Sequence, residues 1–173
     1  MAALTRAPAR LGAGRLLCVD GLAGSGKTSL ATEVARLTGG MVLHTDEMLA
    51  GWRGLPGLAD TLTALLVPLA RDEASSWRRW DWHASAFTEV VPVAAPAPGA
   101  VVVVEGVGAA VGRHRSLASL VVWVEAEAEL RRARGRERDG EEQQPYWDQW
   151  LLDEADLHAR ARTRENADLR FVT

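Results

Sequence analysis

Gly21-Leu22-Ala23-Gly24-Ser25-Gly26-Lys27-Thr28 matches G-x-x-x-x-G-K-[ST], and the apolar run Leu16-Leu17-Cys18-Val19 stands directly before it. Strand, glycine loop and helix in that order make a cradle for phosphate. Glycines permit the tight bend, successive backbone N–H groups turn toward the anionic oxygens, and the helix N-terminus adds the positive end of its dipole. The expected nucleotide-binding set is therefore Gly21, Ala23, Gly24, Ser25, Gly26, Lys27, Thr28 and Ser29. In it Lys27 bridges the outer phosphates and the Thr28 hydroxyl ligates Mg²⁺. Lys27 is the only lysine in the chain, every other cationic side chain of this kind being arginine. A compact ammonium kept in an arginine-rich chain points to a phosphate that a planar guanidinium serves less well.

Phosphoryl transfer from a nucleotide so held needs a group for the acceptor hydroxyl, a metal site and positive charge on the moving phosphoryl group. The sequence supplies a candidate for each. Asp46 follows the second apolar run and can take the hydroxyl proton; as an aspartate at a helix start it also suits an N-cap. Glu105 ends Val101-Val102-Val103-Val104 and can hold a Mg²⁺-bound water or the acceptor, because an acid after four valines is costly unless paired. Five arginines fall between Arg131 and Arg138, with Gly135 and Gly140 beside them as candidate hinges. A charge run of this kind is often a solvated face. Beside a nucleotide site it reads instead as a lid over about residues 131–140, in which Arg134 and Arg138, one helical turn apart, reach the same phosphates. Trp80, Asp81 and His83 suit a pocket for a flat, polar acceptor, with core packing as the plain alternative. The four histidines have no metal-ligand spacing.

These residues need a scaffold, and the apolar pattern outlines one. Leu16–Val19, Met41–Leu43, Val101–Val104, Leu120–Val124 and Leu169–Val172 read as strands, the first an unbroken apolar run that suits a central strand covered on both faces. Helices are expected from Lys27 to the Gly39-Gly40 stop, along the stripe Leu58, Leu62, Leu65, Leu66 and Leu69 with Pro68 kinking or ending it, from Glu125 to Arg138, and from Pro145 to about Asn166. Ser76–Pro92 is ambiguous between core and edge strand, and Val91–Ala100 reads as a loop. Alternating strands and helices imply a parallel sheet with right-handed crossovers. With the glycine loop this predicts an α/β, three-layer P-loop kinase fold: a five-stranded parallel sheet with helices on both faces.

The chain has 173 residues, 47% of them hydrophobic, and a formal net charge of -3. That predicts one domain over residues 15–173, a flexible leader over 1–14, and no global attraction to nucleic acid or membrane. The single Cys18 cannot form an intrachain disulfide, no apolar segment has the length of a membrane span, and a cytoplasmic enzyme is expected.

Several segments in order resemble the uridine kinase branch of the P-loop nucleoside kinases. They are Asp20-Gly21 with the glycine loop, Asp46-Glu47, Trp80-Asp81-Trp82-His83-Ala84-Ser85-Ala86-Phe87, Val104-Glu105-Gly106, the stretch from Arg134 to Asp139, and Ala167-Asp168. The resemblance implies transfer of phosphate from ATP or GTP, with Mg²⁺, to the 5′-hydroxyl of a pyrimidine nucleoside. It makes Asp46 the base, the stretch around Asp81 and His83 part of the acceptor pocket, and Arg134 and Arg138 lid residues. The chain departs from that family's pattern after Asp46, where Glu47-Met48-Leu49 replace aromatic residues, and in a shorter Trp80–Phe87 run. A kinase for another hydroxylated metabolite or antibiotic, and a non-catalytic NTP-binding module, are the competing expectations. A homo-oligomer is left open.

Overall fold

The computed structural model describes residues 1–173. In chain order its elements are α1 (Ala2–Arg6), β1 (Arg15–Asp20), α2 (Lys27–Thr38), β2 (Met41–His44), α3 (Leu58–Leu69), β3 (Ser75–Asp81), β4 (Ala86–Val93), β5 (Val101–Glu105), β6 (Leu120–Glu125), α4 (Ala128–Asp139), α5 (Gln144–Ala161) and β7 (Leu169–Val172). The five-stranded sheet runs β2-β5-β1-β6-β7 and is parallel throughout. β1, which leads into the glycine loop, is central, flanked by the valine strand β5 and by β6.

Alternation along the central strands divides the core in two. Leu17 and Val19 of β1 pack with Val103, Val122, Val124 and Ala31 of α2 on one face. Leu16 and Cys18 pack with Val102, Val104, Val121 and the five leucines of α3 on the other. Each of those leucines is at most 2% exposed, and burying a leucine contributes about 1.5–3 kcal/mol, so the α3 stripe is a main source of cohesion on its face. The result is helix, sheet, helix: the three-layer α/β architecture expected. Pro68 lies in the last turn of α3, which ends one residue later at Leu69.

Three expectations are corrected. The first fourteen residues are not a loose leader: α1 buries Leu4 against the α2 face, Leu11 is fully buried in the other core, and Arg15 Nε donates to Ala7 O at 2.8 Å. Two isolated leucines among small and polar residues have no period to announce a docked segment. Ser75–Val93 forms the antiparallel hairpin β3–β4, so Val91–Val93 is strand rather than loop. The hairpin stands apart from the main sheet and buries Trp77 and Val93 into the α3 side of the core. Gly135 lies inside α4, where it is a helical packing position and not a hinge.

β1, β2 and β5 all end at the same edge, where parallel α/β sheets place their ligands. That edge carries Asp20, His44 and Glu105, with Asp46 two residues past β2. No helix is long and apolar enough to cross a membrane.

Two histidines brace the structure nearby. His114 is fully buried and donates Nε2–H to Ala109 O at 3.0 Å; His158 of α5 is 6% exposed and stands edge-on to Trp123. Burial pushes both imidazoles below their ordinary value of 6.5, so the fold favours the neutral form of each. A depressed histidine contributes stability that is present above pH 6.5 and is lost as pH falls through its folded value. The unfolding free energy from urea titration should therefore decline between pH 7.5 and pH 5, and His114→Gln should flatten part of that decline. An equal slope in the variant would show that His114 carries no share of it.

Candidate active site

The glycine loop crosses from β1 to α2. Gly24 and Gly26 hold φ of +76° and +89°, which non-glycine residues rarely adopt, and a Cβ on Gly24 would overlap the Arg131 backbone. Ala23, Gly24, Gly26, Lys27 and Thr28 line a cavity of about 420 Å³. Gly21 and Ser25 lie behind that surface, with Ser25 Oγ buried and without a hydrogen-bond partner, while Ser29 is on the exposed side of α2. Lys27 Nζ donates to Leu22 O at 2.9 Å. Burial pushes its pKa down, against the attraction of Asp20, Glu105 and Glu154.

Asp20 fastens the loop from below. Fully buried, it accepts N–H bonds from Gly21 (2.7 Å) and Gly108 (2.9 Å) on Oδ1 and from Ala110 (2.8 Å) on Oδ2. One carboxylate thus joins the glycine loop to the loop after β5.

Asp46 sits inside the 3₁₀ turn Thr45–Met48 and caps nothing; it lines the cavity and is open to solvent. Partial desolvation by the surrounding cavity wall, and then the nearby Glu105, raise its pKa, while His44 and Arg138 oppose the shift. Glu105 is 4% exposed and accepts from the Thr28 hydroxyl at 3.1 Å and from His44 Nδ1 at 2.6 Å, both on Oε1. That bond to Glu105 raises the His44 pKa. Thr28 and Glu105 therefore present hard oxygen atoms side by side, which suits Mg²⁺, an ion usually held by one or two carboxylates together with phosphate oxygens and water. No cluster of three or more His, Cys, Asp or Glu side chains stands ready to hold a metal by protein alone.

α4 covers the other side of the loop. Arg134 Nη1 donates to Gly24 O at 3.2 Å and to Thr173 Oγ1 at 3.0 Å, and Thr173 Oγ1 donates to Ser25 O at 3.1 Å. Arg138 lies a turn further on, paired with Asp139, and both reach the cavity. Arg132 and Arg136 are exposed, and Arg131 turns inward to Glu154. The run thus splits by helical phase into cavity-facing and solvent-facing arginines.

The far end of the cavity is walled by Leu49, Val107 and the indoles of Trp52, Trp82, Trp147 and Trp150. Each indole N–H is already engaged: Trp52 donates to Gln143, Trp82 to Asp46 O, Trp147 to Asp139 and Trp150 to Glu154. Trp52 is central, with Trp82, Tyr146 and Trp150 between 5.5 and 5.9 Å away, centroid to centroid. Trp80 and His83 open instead onto a second, broader cavity of about 660 Å³, divided from the first by Trp52, Trp82 and Asp139. Asp81 lines neither. Its Oδ1 accepts the N–H groups of His83 (2.8 Å) and Ala84 (2.9 Å), closing the β3–β4 turn, and those bonds hold its carboxyl below the usual aspartate range.

The structure therefore brings together Lys27, Thr28, Asp46, Glu105, Arg134 and Arg138, and separates Trp80, Asp81 and His83 from them. Sequence reasoning missed His44, Asp139, Glu154, Trp52, Trp147 and Trp150 as site residues.

Solved structures share this architecture. A protein described as a possible uridine kinase from Bacillus stearothermophilus is 20% identical, with 91% of this chain and 89% of that one covered and a TM-score of 0.58. A candidate fructose transport system kinase from Silicibacter sp. TM1040 is 18% identical over 96% of this chain and 91% of that one, with a TM-score of 0.52. An uncharacterized protein from Eubacterium ventriosum ATCC 27560 is 10% identical over 91% and 87%, at 0.53. No protein-family model and no curated protein matches the chain. What these likenesses establish is the fold, which is that of the P-loop kinases.

Gly135 is where α4 meets the indole wall, because a Cβ there would overlap the Trp147 ring, itself 3% exposed. Gly135→Ala gains helix propensity but overpacks this contact, so it should lower the unfolding free energy by about 1–3 kcal/mol. Urea titration reads the change, and a gain in stability would show that the ring has room to move.

Proposed function

We propose that this chain is an ATP- or GTP-dependent small-molecule kinase that phosphorylates the 5′-hydroxyl of a pyrimidine nucleoside. The observation that carries the kinase reading is one cavity holding the phosphate loop, three acids, two arginines and an indole wall. A module that only bound nucleotide would have no use for an Asp46 carboxylate lining the cavity beside that wall. The nucleoside reading draws support from the indole faces, since stacking a base on an aromatic ring contributes about 1–3 kcal/mol.

In this reading Lys27, Arg134 and Arg138 balance the triphosphate charge. Thr28 and Glu105 hold Mg²⁺, which neutralises the phosphate oxygens and fixes their orientation. Asp46 accepts the hydroxyl proton as the acceptor oxygen bonds the γ-phosphorus and the bond to the bridging oxygen breaks, leaving a phosphomonoester and a nucleoside diphosphate. The raised pKa makes Asp46 a stronger base than an unperturbed aspartate. α4 acts as the closing element through Arg134 and Arg138, so its amide exchange should slow when nucleotide binds. A second reading, an acceptor that is another hydroxylated metabolite or an antibiotic, is favoured by one observation: Asp81 closes the hairpin turn and lines neither cavity, so it is not placed to read a base held there.

Two variants test the assignment. Lys27→Ala should weaken Mg-nucleotide binding by about 1.5–3 kcal/mol, the size of a charge-assisted contact. Asp46→Asn should keep that affinity and lower turnover by about 10²–10⁴-fold. The acid limb of kcat/KM should lie above the ordinary aspartate value of 3.8 in the parent protein and be absent from Asp46→Asn. Uridine, cytidine, purine nucleosides and non-nucleoside alcohols, assayed side by side, decide the acceptor. Turnover of a non-nucleoside alone would overturn the nucleoside reading, and unchanged turnover in Asp46→Asn would remove Asp46 from the chemistry.

A further inference from the structure

Glu154 lies in α5, is 1% exposed and belongs to no part of the mechanism above. Its Oε2 accepts two bonds at once, from Ala23 N–H of the glycine loop at 2.8 Å and from Trp150 Nε1–H of the indole wall at 3.1 Å. Its Oε1 stands 3.4 Å from Arg131 Nη1, and the same guanidinium nitrogen donates to Ala23 O at 3.2 Å. The Ala23 residue is therefore gripped on both sides, its N–H by α5 and its carbonyl by α4. A carboxylate buried this deeply is tolerated only with such partners, and each partner is immobilised in turn.

We infer that Glu154 is a positioning residue that couples the indole wall to the phosphate loop, so that what sits against Trp150 alters the affinity of the loop for nucleotide. This rests on the reading of the loop as a nucleotide site and of the wall as the acceptor side. Trp150 is one helical turn before Glu154, and its N–H pins a side chain with three rotatable bonds into the rotamer that meets Ala23. An acceptor stacked on the indole holds that N–H in place, and the carboxylate carries the restraint to the loop. By linkage, nucleotide on the loop then favours the acceptor by the same factor.

The test titrates Mg-ADP calorimetrically into the parent protein, Trp150→Phe, Glu154→Gln, Glu154→Ala and the Trp150→Phe/Glu154→Ala double variant. Trp150→Phe keeps the ring and removes the N–H; it should lose about 3- to 10-fold in affinity, as when one hydrogen bond to a charged group is loosened. In the Glu154→Ala background the same change should cost nothing further, because the coupling has already been cut. Glu154→Gln retains an oxygen for both N–H groups and should stay within about threefold of the parent. If Glu154→Ala does not fold, Trp150→Phe and Glu154→Gln carry the test alone. Unchanged affinity in Trp150→Phe, or the same loss with and without Glu154, overturns the coupling. Failure of the parent protein to bind Mg-ADP overturns the nucleotide site itself, and the coupling with it.

Discussion

The structure depends on two carboxylates buried beneath the glycine loop. Asp20 takes three backbone N–H groups from two separate loops, and Glu154 takes a fourth from Ala23. A loop shaped to aim its N–H groups at phosphate has many donors and little secondary structure to satisfy those turned the other way. Leaving one such donor buried and unpaired costs about 1–3 kcal/mol. Acids below the loop remove that cost and fix which amides face inward and which face the cavity. Lys27 stands above them with its charge partly desolvated, and Asp20, Glu105 and Glu154 keep that charge in place.

From this base the site divides into a polar half and an aromatic half, each built from different elements. β1, β2 and β5 deliver the loop, Asp46 and Glu105 to one sheet edge; α4 adds Arg134 and Arg138 from the far side of the loop. The aromatic half draws Trp52 from the loop after β2, Trp82 from the hairpin, and Trp147 and Trp150 from α5. Because each indole N–H of this wall is already bonded, only ring faces and edges are offered there, while the polar groups are concentrated near the acids.

Much of the scaffold was legible in the sequence, for a physical reason: the glycine loop, the valine strand and the leucine stripe of α3 each carry their signal within a few residues. All five strands of the sheet and helices α2 to α5 follow from such local patterns, whereas α1 does not. The positions that escaped are those whose role is set by partners far along the chain. Ala23 and Glu154 are separated by 131 residues, and no period links them. Asp81 shows the converse, since its neighbours in sequence suggest a binding pocket while its side chain closes the local turn. Gly135 resembles a hinge in composition, but the Trp147 ring that requires its missing side chain comes from the next helix. Asp46 was readable as a proton acceptor or as an N-cap; the structure gives it no capping bond and places it on the cavity lining.

The central claim is that the cavity transfers a phosphoryl group to an alcohol and does not merely bind or hydrolyse nucleotide. Following the γ-phosphate label of ATP or GTP tests it most directly, by separating organic phosphomonoester from inorganic phosphate across nucleosides and other alcohols. The account predicts label in a phosphomonoester, dependent on Mg²⁺ and on the carboxylate of Asp46. Label found only in inorganic phosphate at a rate indifferent to every alcohol, or left on the nucleotide throughout, would contradict it.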